Sequence, residues 1–397
     1  MKLLQKIGNL KEFAALPPKA VEQELAAILR GEQQAAGLNK LEHLAETVFE
    51  RVRKLVAAVG RSFHARDREI EAVAAGFISG VPVLLLGPPG TAKSAVVRKL
   101  ASLCGLASGE DERNGSEGND SQFHGGYFEY LLTNHTMPEE LFGGPDLAEL
   151  AKGKIKKVTT GKLPRAEIAF LDEVFRGGGH ILNTLLTIIN EKRFDSGDGA
   201  VHVPLLGLVG ASNDIPREQD LEAFFDRFPV RAWVQSVLES RQKAGVPNTR
   251  NPAAQLINLS VDAEKKRLAE AWDTTAATKE RVEKRESCTN DFRFARMLLL
   301  HRLGEAVDNS PRFEQFERLF RAVRDRARLS DRGFGQLWLF AAALDRLRRS
   351  DDPNAGYPAC KGHLEVFRYV ARSPQDAGWL NDVVTQHMQG MQHNGVA

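Results

Sequence analysis

The stretch that most narrows what this chain can fold into is residues 81–94, Val-Pro-Val-Leu-Leu-Leu-Gly-Pro-Pro-Gly-Thr-Ala-Lys-Ser. A short apolar run stops at Gly87, Lys93-Ser94 follows six residues later, and residues 95–104 suit a helix. A strand, a Gly-rich loop and a helix start in that order read as a phosphate-binding P-loop. Gly87 and Gly90 let the backbone curl so that successive N–H groups point at an anion. Lys93 brings positive charge to β- and γ-phosphates, the Ser94 hydroxyl suits Mg²⁺, and the positive end of the helix adds a favourable field. Pro88, Pro89, Thr91, Ala92 and Ala95 complete the candidate cradle. The strict pattern has Gly just before the Lys. Ala92 stands there, acceptable at negative φ and strained at positive φ. The competing reading is a tight strand-to-helix turn that happens to contain Lys-Ser.

A second stretch argues against mere coincidence. In Ile168-Ala169-Phe170-Leu171-Asp172-Glu173, four apolar residues fit a parallel strand buried on both faces, and the two acids fall at its carboxyl end. Ligands of open α/β sheets bind at that end, which sets the pair beside the P-loop. Asp172 then suits Mg²⁺, and Glu173 suits polarising an attacking water. Residues 205–212 make another buried strand ending in Asn213, able to hydrogen-bond a γ-phosphate or the water. Arg227, in Phe225-Asp226-Arg227-Phe228 before a fifth strand at 230–234, lies too far along to serve its own loop. It suits an arginine finger offered to a neighbouring subunit, with an ion pair to Asp226 as the plainer reading.

The remaining chain is read more coarsely. Residues 1–58 carry apolar residues at helical spacing and no visible chemistry. A helix over 63–78 leads to the first strand, with Phe63, His64 and Ile70 as candidates for base contacts. Residues 105–126 are rich in Gly, Ser and acids, which predicts a mobile loop. Strand 127–133 and a short helix at 138–142 follow. Then 146–163, with Lys152, Lys154, Lys156 and Lys157, suits a protruding basic hairpin, and 194–204 suits a second hairpin. Residues 281–350 hold sixteen Arg and Lys against ten Asp and Glu. That balance fits nucleic-acid contact less well than a helical domain with charged outer faces, because the acids are interleaved and the Phe and Leu residues keep helix spacing. Within it Ser330 suits an N-cap, and Arg332 is a candidate to reach a γ-phosphate.

Net charge is +2, so the whole chain is no electrostatic magnet for nucleic acid or membranes. Apolar runs fall short of the ~18–20 residues of a spanning helix, the first residues lack a signal-peptide apolar region, and three scattered cysteines indicate neither a disulfide framework nor a zinc site. The expectation is a soluble cytoplasmic protein.

Taken together, Leu-Gly-Pro-Pro-Gly-Thr-Ala-Lys-Ser, Phe-Glu-Tyr-Leu-Leu-Thr, Pro-Glu-Glu-Leu-Phe-Gly, Phe-Leu-Asp-Glu-Val, the 181–194 run ending Asn-Glu-Lys-Arg-Phe, and Ala-Ser-Asn-Asp-Ile-Pro resemble AAA+ ATPases of the MoxR family, in its RavA-like branch. The resemblance is strong over 60–235 and thinner to about 385, and Ala before the P-loop Lys is that family's habit. It implies an α/β core (59–236) with a five-stranded parallel sheet ordered 5-1-4-3-2, an all-α lid (237–385), an N-terminal helical extension (1–58) and a C-terminal tail (386–397). It makes 144–163 the helix-2 insert, 194–204 the hairpin before sensor 1, Asn213 sensor 1, Arg227 the finger and Arg332 sensor 2. It further implies ATP and Mg²⁺ as ligands, a hexameric ring, a von Willebrand A-domain adaptor and remodelling of a protein client. A nucleic-acid motor or restriction-type NTPase, or a slow nucleotide-dependent scaffold, are the alternatives on the same framework.

Overall fold

Four consecutive apolar residues, Val83–Leu86 (β1), are fully buried and form the middle of the architecture. In this computed structural model, residues 35–63, 65–104, 106, 126–215, 219–235, 291–296, 298–300, 311–348 and 362–393 are described. In chain order the described elements are helices α1 (Ala35–Gly60) and α2 (Asp67–Ser79), β1, α3 (Lys93–Leu103), β2 (Tyr127–Leu131), α4 (Pro138–Phe142), α5 (Leu147–Leu150) and β3 (Ile168–Asp172). There follow α6 (Gly179–Glu191), β4 (Arg193–Asp195), β5 (Ala200–His202), β6 (Gly207–Ser212), α7 (Gln219–Phe225) and β7 (Val230–Trp233). The helices α8 (Pro311–Ala327), α9 (Asp331–Arg348), α10 (Gly362–Glu365) and α11 (Pro374–His393) come last.

Five strands form one parallel sheet. Val83 pairs with Val209 of β6 on one side and Val230 of β7 on the other, while Ile168 pairs with Gly207 of β6 and Tyr127 of β2. The order is β7-β1-β6-β3-β2. Counted over the sheet strands alone this reads 5-1-4-3-2; the full numbering is shifted because β4 and β5 form a separate antiparallel hairpin. Because side chains alternate along a strand, Val83 and Leu85 enter one apolar cluster, with α1, α2, α3 and the lid. Leu84 and Leu86 enter the other, with α6 and Phe224, Phe225 and Phe228. Every strand of the sheet points the same way, so Gly87, Asp172 and Asn213 arrive together at one edge.

Several sequence expectations need adjusting. Helix α1 runs through the boundary expected at residue 58, and Val48, Phe49, Val52 and Val59 belong to the same core as the sheet. The basic 146–163 stretch is no hairpin of its own. It holds the short helix α5, capped by Asp146, and closes through a single bridge, Pro145 to Lys157. It also joins the β4–β5 hairpin: Lys157 N donates to Ser196 O at 2.9 Å, Lys156 pairs with Asp198 at 3.3 Å, and Lys157 Nζ lies 4.9 Å from the Phe194 ring centre. Two expected protrusions are thus one block. The stretch 386–397 begins as helix, since α11 continues to His393. The loop 105–126, apart from Leu106 and Gly126, and the first part of the lid, 237–290, lie outside the described residues.

The lid packs through rings: Phe316 lies 4.9 Å from Trp338 and from Phe367, and Phe320 lies 4.9 Å from Phe334. It is fixed to the sheet by Arg231 of β7, which is wholly buried. The Arg231 guanidinium donates to Phe228 O (2.9 Å), Ala327 O (3.0 Å) and Val370 O (3.2 Å), and lies 4.1 Å from the Phe225 ring centre. Trp233 Nε1 donates to Ala371 O at 3.1 Å.

Candidate nucleotide-binding site

The loop after β1 turns sharply because β7 ends beside it. A Cβ on Gly87 would stand 2.2 Å from Val234 O, so only glycine fits this approach. Gly90 takes φ +77° over open space. Ala92 also sits in the left-handed region, at φ +66°. The strained case is therefore the real one, costing roughly 1–2 kcal/mol for an L-residue with a Cβ. That conformation launches α3 without a side-chain cap: among the described residues, the N–H groups of Ala92, Lys93 and Ser94 have no hydrogen-bond partner. Uncapped N–H groups at a helix N-terminus suit an anion.

Lys93 is buried and turned back onto the loop, donating from Nζ to Gly87 O (2.6 Å), Pro88 O (3.1 Å) and Asn213 Oδ1 (2.8 Å). Burial lowers its pKa from the usual lysine value, with Asp172 and Glu173 opposing. Asn213 Nδ2 donates to Glu173 Oε1 at 2.5 Å. The amide orientation follows from charge: the ammonium needs an acceptor and the carboxylate a donor. Glu173 holds φ +50° just past β3, which swings its side chain toward Asn213, and Oε2 lies 3.4 Å from Arg176 Nε. One chain of contacts thus links Lys93, Asn213 and Glu173 from three separate elements.

The donor set fits the metal that such a site takes. Asp172 uses Oδ1 to accept from Glu173 N at 3.0 Å, and neither its other oxygen nor the Ser94 hydroxyl has a partner among the described residues. A hydroxyl and a carboxylate are hard oxygen ligands suited to Mg²⁺, which takes its remaining ligands from phosphates and water. No group of three or more His, Cys, Asp or Glu forms a metal cage among the described residues.

Two candidates stand away from this network. Arg227 pairs with Asp226 at 3.1 Å and makes no contact with Lys93 among those the described residues show. Arg332 is exposed and donates to Asn190 Oδ1 at 2.6 Å. Ile70 is buried in the core, Phe63 packs against it, and His64 lies outside the described residues. The residue of that segment that does reach the loop is Arg66, which sequence reasoning missed. It is buried, donates from Nε to Thr91 O at 3.1 Å and from Nη1 to Ala65 O at 3.0 Å, and burial lowers its pKa against the pull of Glu69. Nothing in Ala-Arg-Asp-Arg distinguishes it from a surface arginine.

The parallel sheet, the loop at its carboxyl edge and the helices that follow define a P-loop nucleotide-binding fold of the AAA+ class. The family described as the MoxR domain in the MoxR-vWA-beta-propeller ternary systems matches residues 50–110 and 119–263, just over half of the chain, and the chain belongs to that family. The match does not single out a RavA-like branch. Two uncharacterized proteins of Methanocaldococcus jannaschii are similar: MJ0079, 37% identical over 191 residues, 48% of this chain and 45% of that protein, and MJ0812, 39% identical over 176 residues, 44% and 42%. Structural protein ORF618 of Acidianus two-tailed virus is 28% identical over 200 residues, 48% of this chain and 30% of that protein. The chain thus matches less than half the length of these relatives. In fold it resembles the crystal structure of a candidate ATPase from Cytophaga hutchinsonii, with TM-score 0.55 and 17% identity over 89% of this chain and 97% of that one. Among the described residues no helix is long and apolar enough to cross a membrane.

Proposed function

We propose that this protein hydrolyses MgATP at the interfaces of a homo-oligomeric, hexameric ring in the cytoplasm, and that the cycle drives remodelling of a partner protein. The observation that carries the reading is the Lys93–Asn213–Glu173 linkage at the carboxyl edge of the sheet. In this reading, residues 87–95 cradle the phosphates, which receive the free N–H groups of Ala92, Lys93 and Ser94. Lys93 exchanges its loop carbonyls for β- and γ-oxygens. Asn213 holds Glu173 in the resting state and orients the water when phosphate draws Lys93 away. Glu173 then aligns that water for in-line attack on the γ-phosphorus, the bond to the bridging oxygen breaks, and ADP and phosphate leave. Mg²⁺, held through Ser94 and Asp172, supplies charge neutralisation on the phosphates. Arg227 adds positive charge at the neighbour's γ-phosphate. Arg332, bonded to Asn190 in the resting chain, turns to the phosphate only on lid closure.

The partner side rests on the projecting block. Of the large apolar side chains exposed among the described residues, four, Leu147, Leu150, Ile155 and Val158, fall in the 146–163 stretch, with Leu147 at 76% and Ile155 at 65% exposure. Apolar groups collected on one protrusion suit a protein surface. Lys152 and Lys156 are paired with Glu149 and Asp198, which offsets part of the positive charge of the block and favours a protein client over nucleic acid. The family's description names vWA proteins, and a vWA-domain adaptor is the partner we infer.

The test is steady-state ATPase of wild type, Lys93→Ala, Arg227→Ala and a mixture of the two variants, with sedimentation to read assembly. Inactive single variants and a mixture that regains turnover support the shared site. Wild-type turnover by Arg227→Ala would mean that each site works within one subunit.

A further inference from the structure

Helix α7 and the turn after it are fastened to the lid along one face. Glu222 and Asp226 stand four residues apart, one helical turn. Glu222 accepts from Arg372 at 2.6 and 3.0 Å and from Arg328 at 3.0 Å. Asp226 Oδ2 accepts both from Ser330 Oγ, at 2.9 Å, and from Arg227 Nη1, at 3.1 Å. One carboxylate oxygen therefore serves the lid and the candidate finger together. The place of Ser330 is itself fixed, because its Oγ receives Gly333 N at 3.3 Å in the first turn of α9.

Arg227 is held only at its end. Its Nε is buried without a hydrogen-bond partner, and Asp226 is its one acidic partner among the described residues. A guanidinium so seated pivots about its buried stem, and the carboxylate decides which way the Nη atoms face. Both members of the pair have side chains only 22% exposed, so the attraction is screened less than at an open surface and holds the Nη end toward Asp226. When the lid shifts, Ser330 carries Asp226, and Glu222 carries the helix behind it.

We propose that Asp226 is a positioning residue for Arg227, through which the lid of one protomer sets the finger it offers to its neighbour. This rests on the in-trans reading of Arg227 given above. It provides a route from the nucleotide state of one site to the rate at the next that needs no contact with either nucleotide.

The experiment is a double-mutant cycle on kcat for ATP, with ring assembly read by sedimentation and Arg227→Ala measured first. Asp226→Asn keeps the shape and the acceptor for Ser330 while removing the charge. It is expected to lower kcat by about 10- to 100-fold, as misplacement of a transition-state group does, with KM for ATP and assembly unchanged. Ser330→Ala is expected to lower kcat in the same way, and Asp226→Asn/Ser330→Ala to fall no further than Asp226→Asn alone. A merely structural role would reduce assembly or raise KM, and would overturn the proposal. Wild-type kcat in Asp226→Asn beside an inactive Arg227→Ala would overturn it too, and independent, additive losses would remove the lid from it. Wild-type kcat in Arg227→Ala would remove the finger reading itself, and the proposal with it.

Discussion

Ala92 shows how much one backbone angle decides. Its φ of +66° lies where a Cβ crowds the following carbonyl, yet the turn into α3 requires it. Ala92→Gly is therefore expected to fold at least as well and to bind nucleotide, since Gly enters that region freely. Ala92→Val should strain the loop by a further ~1 kcal/mol or more and weaken nucleotide binding without unfolding the sheet. Titration with a fluorescent ATP analogue, beside thermal unfolding, separates the two effects; equal affinity for the Gly and Val variants would mean that the loop relaxes. The places of Lys93, Asp172, Glu173 and Asn213 were legible in the sequence because each ends or follows a strand or opens a helix, and the roles proposed for them rest on residue type. Arg66 was not, because its role comes from a hydrogen bond to Thr91 O across 25 residues. Nor was the pairing of Asn213 with Lys93, which only the strand order brings about.

At the scale of elements, β1, β3 and β6 were read closely because buried parallel strands are continuous apolar runs with abrupt ends. The 146–163 stretch was misread because alternating Lys, Ile and Val looks like a strand, whereas Asp146 caps a helix by accepting from Ala148 N and Glu149 N. The lid anchor was invisible for another reason: Arg231 looks like an ordinary strand arginine until its carbonyl partners on other elements are known. Burial lowers its pKa to about 9, aided by the charge of Arg372 and opposed by Asp226 and Glu222, so it remains charged at neutral pH. Arg231→Met fills similar volume but leaves the carbonyls of Phe228, Ala327 and Val370 without this donor. Unsatisfied buried groups of this kind cost about 1–3 kcal/mol each before relaxation. Arg231→Lys should rescue little, because an ammonium cannot span the fork of a guanidinium. Limited proteolysis should release the lid in both variants before the sheet core is cut; a lid as resistant as wild type would show that the apolar contacts suffice.

Across the whole molecule, the N-terminal helix and the lid side of the chain meet at a titratable pair. Asp291 lies in a helical stretch whose Phe292 packs edge-on against Phe77, with ring centres 5.7 Å apart. Its carboxylate pairs with Arg51 of α1 at 3.0 Å, beside a cavity of about 290 Å³ lined also by Val52, Lys54, Leu55 and Phe292. Lys54 there is engaged by Glu50 at 2.5 Å. Burial raises the Asp291 carboxyl to about 7, although Arg51 opposes the shift. The native state therefore keeps a proton that the unfolded chain, with an ordinary carboxyl near 3.8, has released. This stabilisation is complete below that ordinary value and is lost as pH rises through about 7. The maximum slope for one such group is about 1.4 kcal/mol per pH unit, reduced in practice by the partial exposure of Arg51. Asp291→Asn removes the titration and keeps the shape, so the thermal midpoint of wild type relative to the variant should decline from pH 5 to pH 8 and level off above it. Both proteins carry every other titrating group in common, including Lys192, which burial pushes down to about 8, so the difference between their profiles isolates this carboxyl. Parallel profiles across that range would mean that Asp291 is ionised throughout, and that the Arg51 pair outweighs its burial.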